Sequence, residues 1–212
     1  EVAATNQQTD TPDITSTTML RMILDYAASV DEAVELVKKY DLHDSANTSF
    51  HYMVADSTGK SAVLEWVAAD DENDTDGTKR ELRVYYNDDD AAVGAMEAAD
   101  NFQYLTNFII TPDYYASDDD KKGLDRYEAI EKAVNPDGTN TEGIASEQDC
   151  MDILRLVGRR KWDVEHGKTD SNSITVWSAL YNLTDKSVTW VSNEEFDNHD
   201  AVFTFDFSGK KH

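Results

Sequence analysis

Residues 50–67 read FHYMVADSTGKSAVLEWV, and this stretch decides the class of the fold. Its two halves, Phe50–Asp56 and Ser61–Val67, are rich in the aromatic and β-branched residues that favour strands. Residues 57–60 (STGK), which lie between them, have the composition of a turn. The pattern predicts a β-hairpin, and because hairpin strands run antiparallel, it also predicts a largely antiparallel sheet.

Two amphipathic helices are predicted before the hairpin, at Thr17–Ala28 and Asp31–Tyr40. Apolar residues recur at helical spacing in both segments, namely Met19, Leu20, Ile23, Leu24 and Ala27 in the first and Ala33, Val34, Val37 and Tyr40 in the second. In the second segment the acidic residues come first and Lys38 and Lys39 come last, as the helix dipole favours. Residues 1–16 are polar and lack periodicity, which predicts a leader or linker.

After the hairpin, the patterns predict more strand, then helices, then strands again. Lys79–Tyr86 is a strand, and Phe102–Phe108 is an extended run. The later segments are helices at Lys121–Val134 and Ser146–Val157, a charged loop at Gly158–Asn172, and strands at Ile174–Leu183, Ser187–Ser192 and Ala201–Phe207. Because no linker interrupts this order, the sequence predicts a single α+β domain over residues 17–212.

An excess of acidic residues excludes several classes of partner. The chain has 43 Asp and Glu residues against 19 Lys and Arg residues, which leaves a formal net charge of −24. Such a surface repels phosphate backbones and anionic lipids, so we expect neither nucleic acid nor a membrane as a partner. The apolar runs are also too short to cross a bilayer.

The sequence predicts neither a cofactor nor a metal site. The single cysteine, Cys150, excludes an internal disulfide and a cysteine-based metal cluster, and it leaves the cellular compartment open. Cys150 lies within a predicted helix, where a small buried thiol is a more common role than a nucleophile. His51 has no second histidine at ligand spacing, so we interpret it as a hydrogen-bonded core residue. The acidic runs are interpreted as solvated loop tips.

Asn107 and Arg126 are the two candidates for catalytic chemistry. Asn107 lies late in the apolar run YLTNF at residues 104–108. A rigidly held Asn amide at the end of a strand is a good donor to an oxyanion, and an ordinary turn asparagine is the alternative. Arg126 lies near the start of a predicted helix, where a local ion pair with Asp125 is the alternative to a functional role.

Several segments taken together resemble the choloylglycine hydrolase family, which includes bile salt hydrolases and penicillin V acylases. These segments are residues 22–40 (MILDYAASVDEAVELVKKY), 51–66 (HYMVADSTGKSAVLEW), 104–108 (YLTNF), 124–127 (LDRY), 176–183 (VWSALYNL) and 186–190 (KSVTW). The resemblance extends over about residues 17–207, and the order of the segments is more specific than any one of them.

The resemblance implies an N-terminal-nucleophile hydrolase with a four-layer αββα fold, in which an N-terminal cysteine thiolate attacks a linear amide. It implies that Asn107 helps to form the oxyanion hole and that Arg126 lies beside the nucleophile. The chain begins Glu1-Val2-Ala3 rather than with cysteine. We therefore expect the nucleophile in an N-terminal portion that is absent, which would leave the sandwich incomplete and the chain inactive by itself.

An incomplete sandwich exposes strand edges and apolar surface, so we expect a partner. The partner is either the missing N-terminal segment or a second copy of the chain in a homo-oligomer, and the substrate is a small amide. Bile salts, penicillin V and acyl-homoserine lactones all remain open as substrates. A non-catalytic binding or structural module with the same fold is the alternative function.

Overall fold

Helices and strands follow one another along the chain in nearly the predicted order. The computed structural model describes residues 7, 9–43, 50–74, 78–88, 102–137, 144, 146–167 and 174–209. Contacts between residues divide the chain into two units, Glu1–Leu124 and Asp125–His212. A single domain over residues 17–212 stays a prediction.

The first unit combines two helices with two small sheets in its described residues. Its elements are β1 (Asp13–Thr15), α1 (Ser16–Tyr26), α2 (Val30–Val37), β2 (Asp41–His43), β3 (Tyr52–Ala55), β4 (Ser61–Ala68) and β5 (Arg80–Tyr86). Strands β3, β4 and β5 form an antiparallel sheet with β4 in the centre, and β1 pairs with β2 in parallel. The predicted hairpin is therefore confirmed as β3 and β4.

Strand β4 is the centre of the first unit because both of its faces are buried. On one face, Leu64 and Trp66 pack against apolar residues of α1 and α2, and Ala62 packs against Val30 and Val34 of α2. Side chains alternate along a strand, so Val63 and Glu65 lie on the opposite face. All of β4 except its last residue is buried. The helices thus cover one face of the sheet, and residues 110 and 111 contact Glu65 on the other face.

Helix α2 is tied to the hairpin at its first residue. The Ser29 hydroxyl caps the helix by accepting from the Glu32 amide at 3.2 Å, as the sequence Ser-x-x-Glu favours. Asp56, in the turn between β3 and β4, accepts from the Val30 amide at 2.9 Å. Hydrogen bonds from Thr58, and next the one from Val30, hold the pKa of Asp56 below its usual range. One carboxylate therefore fixes the turn and the start of the helix together.

The second unit contains three α-helices, a 3₁₀ turn and one sheet in its described residues. Its elements are α3 (Leu124–Val134), which begins at the boundary between the units, α4 (Glu147–Leu156), α5 (Arg159–Glu165), β6 (Trp177–Asn182), β7 (Ser187–Ser192), the 3₁₀ turn His199–Ala201 and β8 (Val202–Asp206). The strands form an antiparallel sheet in the order β6, β7, β8. Within the described parts of both units, the helices lack the length and apolar character that crossing a membrane requires.

One face of the β6–β8 sheet is aromatic and open to solvent. Directly opposed residues of an antiparallel sheet share a face. The register therefore aligns the residues of this surface, the aromatic face, in cross-strand rows; they are Trp177, Ala179, Tyr181, Val188, Trp190, Phe203 and Phe205. Trp177 and Trp190 stack with ring centroids 4.7 Å apart. Even so, Trp177 is 52% exposed and Tyr181 is 62% exposed.

Three features of the fold differ from the sequence prediction. The predicted charged loop over residues 158–172 contains α5, because Trp162 is buried and Arg159 pairs with Asp163 one turn later at 2.6 Å. Phe102–Phe108 pairs with no strand among the described residues, so the extended run is a loop. Strands β1 and β2 were not predicted, and β1 lies within the stretch interpreted as a leader or linker.

Leu64→Ala should destabilise the protein strongly, because Leu64 is fully buried at the centre of β4. We expect the free energy of unfolding to fall by about 2–5 kcal/mol, the usual cost of a cavity left by a buried leucine. Urea unfolding followed by circular dichroism measures it. Leu24→Ala is the matched control, since Leu24 is 79% exposed, and it should change the free energy by less than about 0.5 kcal/mol. Equal effects would contradict the burial of β4.

Candidate functional site

A buried carboxylate on β4 organises the face of the sheet away from the helices. Glu65 is fully buried in the middle of the strand. Its Oε1 lies 3.0 Å from His51 Nδ1 and accepts from the Ile110 amide at 2.9 Å. Its Oε2 accepts from the Thr111 amide at 2.9 Å and from the Thr111 hydroxyl at 2.7 Å. An ionised carboxylate offers about four acceptor sites, and these four contacts use them.

His51 connects the same carboxylate to the start of a loop. Its Nε2 lies 2.6 Å from the Thr106 carbonyl oxygen, which can only accept, so this nitrogen donates. Its Nδ1 faces Glu65 at 3.0 Å. Together the two contacts join the Glu65 carboxyl group to the Thr106 carbonyl through the imidazole ring. The interpretation of His51 as a hydrogen-bonded core residue agrees with these contacts.

Residues 106–111, the Asn107 loop, are held by their backbone at nearly every position. Thr106 Oγ1 accepts from the Phe108 amide at 3.2 Å. The Ile109 amide donates to the Tyr115 hydroxyl at 3.0 Å, and Tyr115 stacks on Phe108 with ring centroids 5.2 Å apart. Burial raises the pKa of Tyr115, so its hydroxyl stays protonated at neutral pH. The loop is therefore anchored on both sides of Asn107.

Gly123 closes on the Asn107 loop from a neighbouring turn. The Thr106 hydroxyl donates to the Gly123 carbonyl at 2.9 Å. A Cβ on Gly123 would lie 2.9 Å from the Asn107 amide nitrogen and 3.0 Å from both the Phe108 amide nitrogen and Thr106 Oγ1. Gly123 also has φ of +85°, a conformation that favours glycine. Both the space and the backbone conformation thus require glycine at this position.

Asn107 is the exposed residue of this anchored loop. It lies between half-buried Thr106 and buried Phe108. An amide group on a backbone that does not need to reorganise is suited to stabilise negative charge as it develops on an oxygen. Asn107 thus lies on a loop and not at the strand end that the sequence predicted, and its role as an oxyanion donor stays a prediction.

Arg126 belongs to the second unit, on the first turn of α3. Its amide donates to Asp125 Oδ1 at 2.8 Å, and Asp125 Oδ2 accepts from Trp162 Nε1 of α5 at 3.1 Å. Asp125 therefore joins the starts of two helices. That Asn107 and Arg126 act on one substrate stays a prediction.

The described surroundings of Cys150 disfavour a thiolate. It lies half-buried in α4 of the second unit. Burial, and next the negative charges of Asp149 and Glu147, raise the pKa of its thiol. A catalytic thiolate needs the opposite environment, with a nearby cation or base. This environment agrees with the interpretation of Cys150 as a packed residue.

Glu65 is the residue of this site that the sequence interpretation missed. Its signal was a single acidic residue inside the otherwise apolar strand SAVLEWVA at residues 61–68. An unpaired charge is costly at such a position, so its presence indicates buried donors nearby. His51 faces Glu65 across the predicted hairpin, whereas no local pattern connects the donors at positions 110 and 111 to β4.

The chain is similar to known proteins in sequence and in structure. The family model of linear amide C-N hydrolases, choloylglycine hydrolase family, matches residues 2–111, a range that includes His51, Glu65 and the Asn107 loop. A search of curated proteins finds no significant match.

Solved structures of a bile acid hydrolase share the fold. One variant of the conjugated bile acid hydrolase from Clostridium perfringens is 16% identical with a TM-score of 0.55, and the alignment covers 99% of this chain and 68% of that one. A second variant is 15% identical with a TM-score of 0.51, covering 99% and 67%. This likeness confirms the predicted fold class, an α+β hydrolase fold of the N-terminal-nucleophile type with mostly antiparallel sheets.

Glu65→Gln should destabilise the first unit. The amide nitrogen of glutamine cannot accept, so at least one of the four donors around Glu65 would lose its partner. Leaving a buried donor unsatisfied costs about 1–3 kcal/mol, and we expect a loss of that order in the free energy of unfolding. Urea unfolding measures the loss, and hydrogen exchange at the Ile110 and Thr111 amides should accelerate. The exposed Glu72→Gln is the control, and a result equal to this control would contradict the arrangement.

Gly123→Ala should cost more stability than Gly59→Ala. Both glycines have positive φ, of +85° and +89°, so both variants incur the backbone cost of about 1–2 kcal/mol. Nothing lies within 4 Å of a Cβ on Gly59, whereas a Cβ on Gly123 meets the Asn107 loop. We expect a further loss of about 1–3 kcal/mol for Gly123→Ala from this overlap. Unfolding of the two variants side by side gives the difference, and a zero difference would disprove the close approach.

Proposed function

Because the chain belongs to the choloylglycine hydrolase family of linear amide C-N hydrolases, we propose that it is the larger part of such an enzyme, completed by a segment outside these 212 residues. The observation that carries the proposal is the Asn107 loop, which lies in the range that the family model matches and is held by Glu65 and His51. The substrate is a small linear amide.

In this proposal Asn107 stabilises the tetrahedral intermediate. A cysteine thiolate attacks the carbonyl carbon of the amide, and the electron pair of the C=O bond moves to the oxygen. The Asn107 side-chain amide donates to that oxyanion. Collapse of the intermediate re-forms the C=O bond and breaks the C–N bond, and the leaving amine takes the proton that the α-amino group of the cysteine accepted from the thiol. Water then hydrolyses the thioester, which releases the acid and restores the thiol. Because the loop is already anchored by Glu65, little reorganisation accompanies the reaction. Arg126 is assigned to the side of the nucleophile, as the resemblance implies.

The thiolate comes from outside the chain in this proposal. Cys150 is the single cysteine, and burial raises its pKa. A raised pKa lowers the thiolate fraction at neutral pH, which is unfavourable for a nucleophile. The similar bile acid hydrolase chain is also longer, since the alignment covers 68% of it. In this proposal, the N-terminal cysteine belongs to a segment that corresponds to the uncovered part of that hydrolase chain.

The same segment is proposed to cover the aromatic face. A large apolar patch at the surface of a soluble protein usually marks an interface. The aromatic face presents Trp177, Tyr181, Phe203 and Phe205 to solvent, each at least 46% exposed. An added strand or sheet layer of the missing segment would bury these rings, and this explains why a hydrolase unit carries them at its surface.

The test compares the 212-residue chain with the longest natural polypeptide that contains it. The assay measures amine release from a conjugated bile acid, penicillin V and an acyl-homoserine lactone. We expect activity in the longer protein and none in the chain alone. In the longer protein, Asn107→Ala should lower kcat by about 10²–10³, the usual loss for one oxyanion donor, whereas Cys150→Ser should leave kcat unchanged.

Binding of a hydrophobic dye gives a readout of the partner that is independent of chemistry. The chain alone should bind the dye, and the longer protein should not. A clean monomer of the chain without dye binding contradicts the partner, and dye binding suppressed by dimerisation of the chain assigns the face to a second copy. A longer protein that folds but cleaves none of these amides favours the non-catalytic module. Activity of the chain alone that Cys150→Ser abolishes would overturn the role given to the missing segment.

A further inference from the structure

Three side chains with metal-ligating atoms meet on one face of the β1–β2 pair, far along the chain from the Asn107 loop. The parallel register places Asp13 directly opposite Asp41. His43 lies two residues after Asp41, so its side chain is on the same face of the strand. The intervening residues Ile14 and Leu42 are on the opposite face and belong to the hydrophobic core. The strand register therefore brings two carboxylates and one imidazole together.

The ligand atoms are spaced as a small metal ion requires. His43 Nε2 lies 3.1 Å from Asp41 Oδ1 and 3.5 Å from Asp13 Oδ1, and one ligand atom from each residue lies within 4.8 Å of the other two. Zinc binds nitrogen and carboxylate oxygen at about 2.0–2.2 Å, which puts the corners of a tetrahedral site about 3.3–3.6 Å apart. An ion between the three atoms would reach each of them with only small side-chain movement.

Asp41 supplies an independent indication of a ligand. The residue is 99% buried, with 1% of its surface exposed. Its Oδ2 accepts from the Thr9 amide, whereas its Oδ1 receives no hydrogen bond from the residues that the structure describes. His43 Nε2 is close to Oδ1 but does not form a hydrogen bond with it. A buried carboxylate oxygen without a donor is costly, and a cation at this position would satisfy it.

We propose that Asp13, Asp41 and His43 bind one divalent transition-metal ion, for which Zn²⁺ is the best fit. An imidazole ligand favours zinc and its neighbours over Ca²⁺ and Mg²⁺, which take more oxygen ligands. Asp13 and His43 have side chains that are 78% and 40% exposed, so the open side of the site is accessible to water as a fourth ligand. The alternative is a charged His43 imidazolium that compensates the two carboxylates without a metal.

The bound ion would cross-link strands β1 and β2. Strand β1 precedes α1 and β2 follows α2, so a shared metal ties the two ends of the helical layer together. Each strand is only three residues long, and few backbone hydrogen bonds hold the pair. A metal ion that binds only the paired strands stabilises the folded state by mass action. The ion therefore has a measurable effect that does not depend on amide hydrolysis.

The experiment titrates the untagged, chelator-treated 212-residue chain with Zn²⁺ by isothermal titration calorimetry, in excess Mg²⁺ to occupy diffuse acidic sites. We expect about one equivalent of Zn²⁺ to bind. His43→Gln and Asp13→Asn alter exposed side chains and should each weaken binding by about tenfold or more, the scale expected for changes around a metal. His199→Gln is the matched control, an exposed histidine beside Asp200, and should bind as the parent does.

Thermal unfolding of the same proteins is the second readout. Zn²⁺ should raise the midpoint of the parent and of His199→Gln, and it should have no effect on His43→Gln. Circular dichroism establishes that each variant is folded before titration. Absence of a one-equivalent site in excess Mg²⁺ would overturn the proposal and assign His43 to the ion pair. Binding that neither His43→Gln nor Asp13→Asn weakens would overturn it as well.

Discussion

The carboxylate of Glu65 is the interaction on which the first unit depends. It lies in the central strand of the sheet, where it contacts His51 across the hairpin and accepts from the backbone amides of Ile110 and Thr111, which are distant in sequence. The Ile110 and Thr111 groups donate to it and the His51 ring contacts it, so one side chain sets the orientation of the ring and the loop together. The position of Asn107 is thus a property of the sheet core.

Burying the Glu65 side chain costs stability but fixes the position of the Asn107 loop. A buried ion pair is often no better for stability than apolar residues of the same size. An apolar residue at position 65 would pack well beside Val63 and Val67, but it would leave the Ile110 and Thr111 amides without their acceptor. The presence of a carboxyl group at position 65 is therefore explained by the loop that it holds. A strand that served as core alone would have no use for it.

Local patterns carried the fold prediction a long way, because helices and strands of ordinary length repeat their periodicity within a few residues. The hairpin of β3 and β4 follows from one stretch of 18 residues, and β7 lies at the bounds predicted for it. Strands β1 and β2 are three residues each, too short for a period, and they exist only because they pair with each other. Helix α5 was predicted as a loop because the segment is rich in charged residues. The burial of Trp162, which stabilises the helix, depends on tertiary contacts that the local sequence does not indicate.

The site shows the same limit. Asn107 could be selected from its short motif and the family resemblance, whereas the anchor between Glu65 and Ile110 could not, because these residues lie 45 positions apart. The metal cluster has the same origin, since Asp13 and Asp41 meet only through strand register. Sequence patterns indicate which residue types are unusual for their place, and long-range pairing decides which partners explain them.

The turn at Gly123 limits how this region can diverge among related proteins. Its Cβ position is occupied by loop backbone, so no side chain can be accommodated there while the loop keeps its place. Lys121 and Lys122, immediately before it, are exposed, so we expect most substitutions there to have little effect on stability. We therefore expect related sequences to keep glycine at position 123 while positions 121 and 122 vary. An invariant glycine beside variable neighbours would identify this loop in distant sequences.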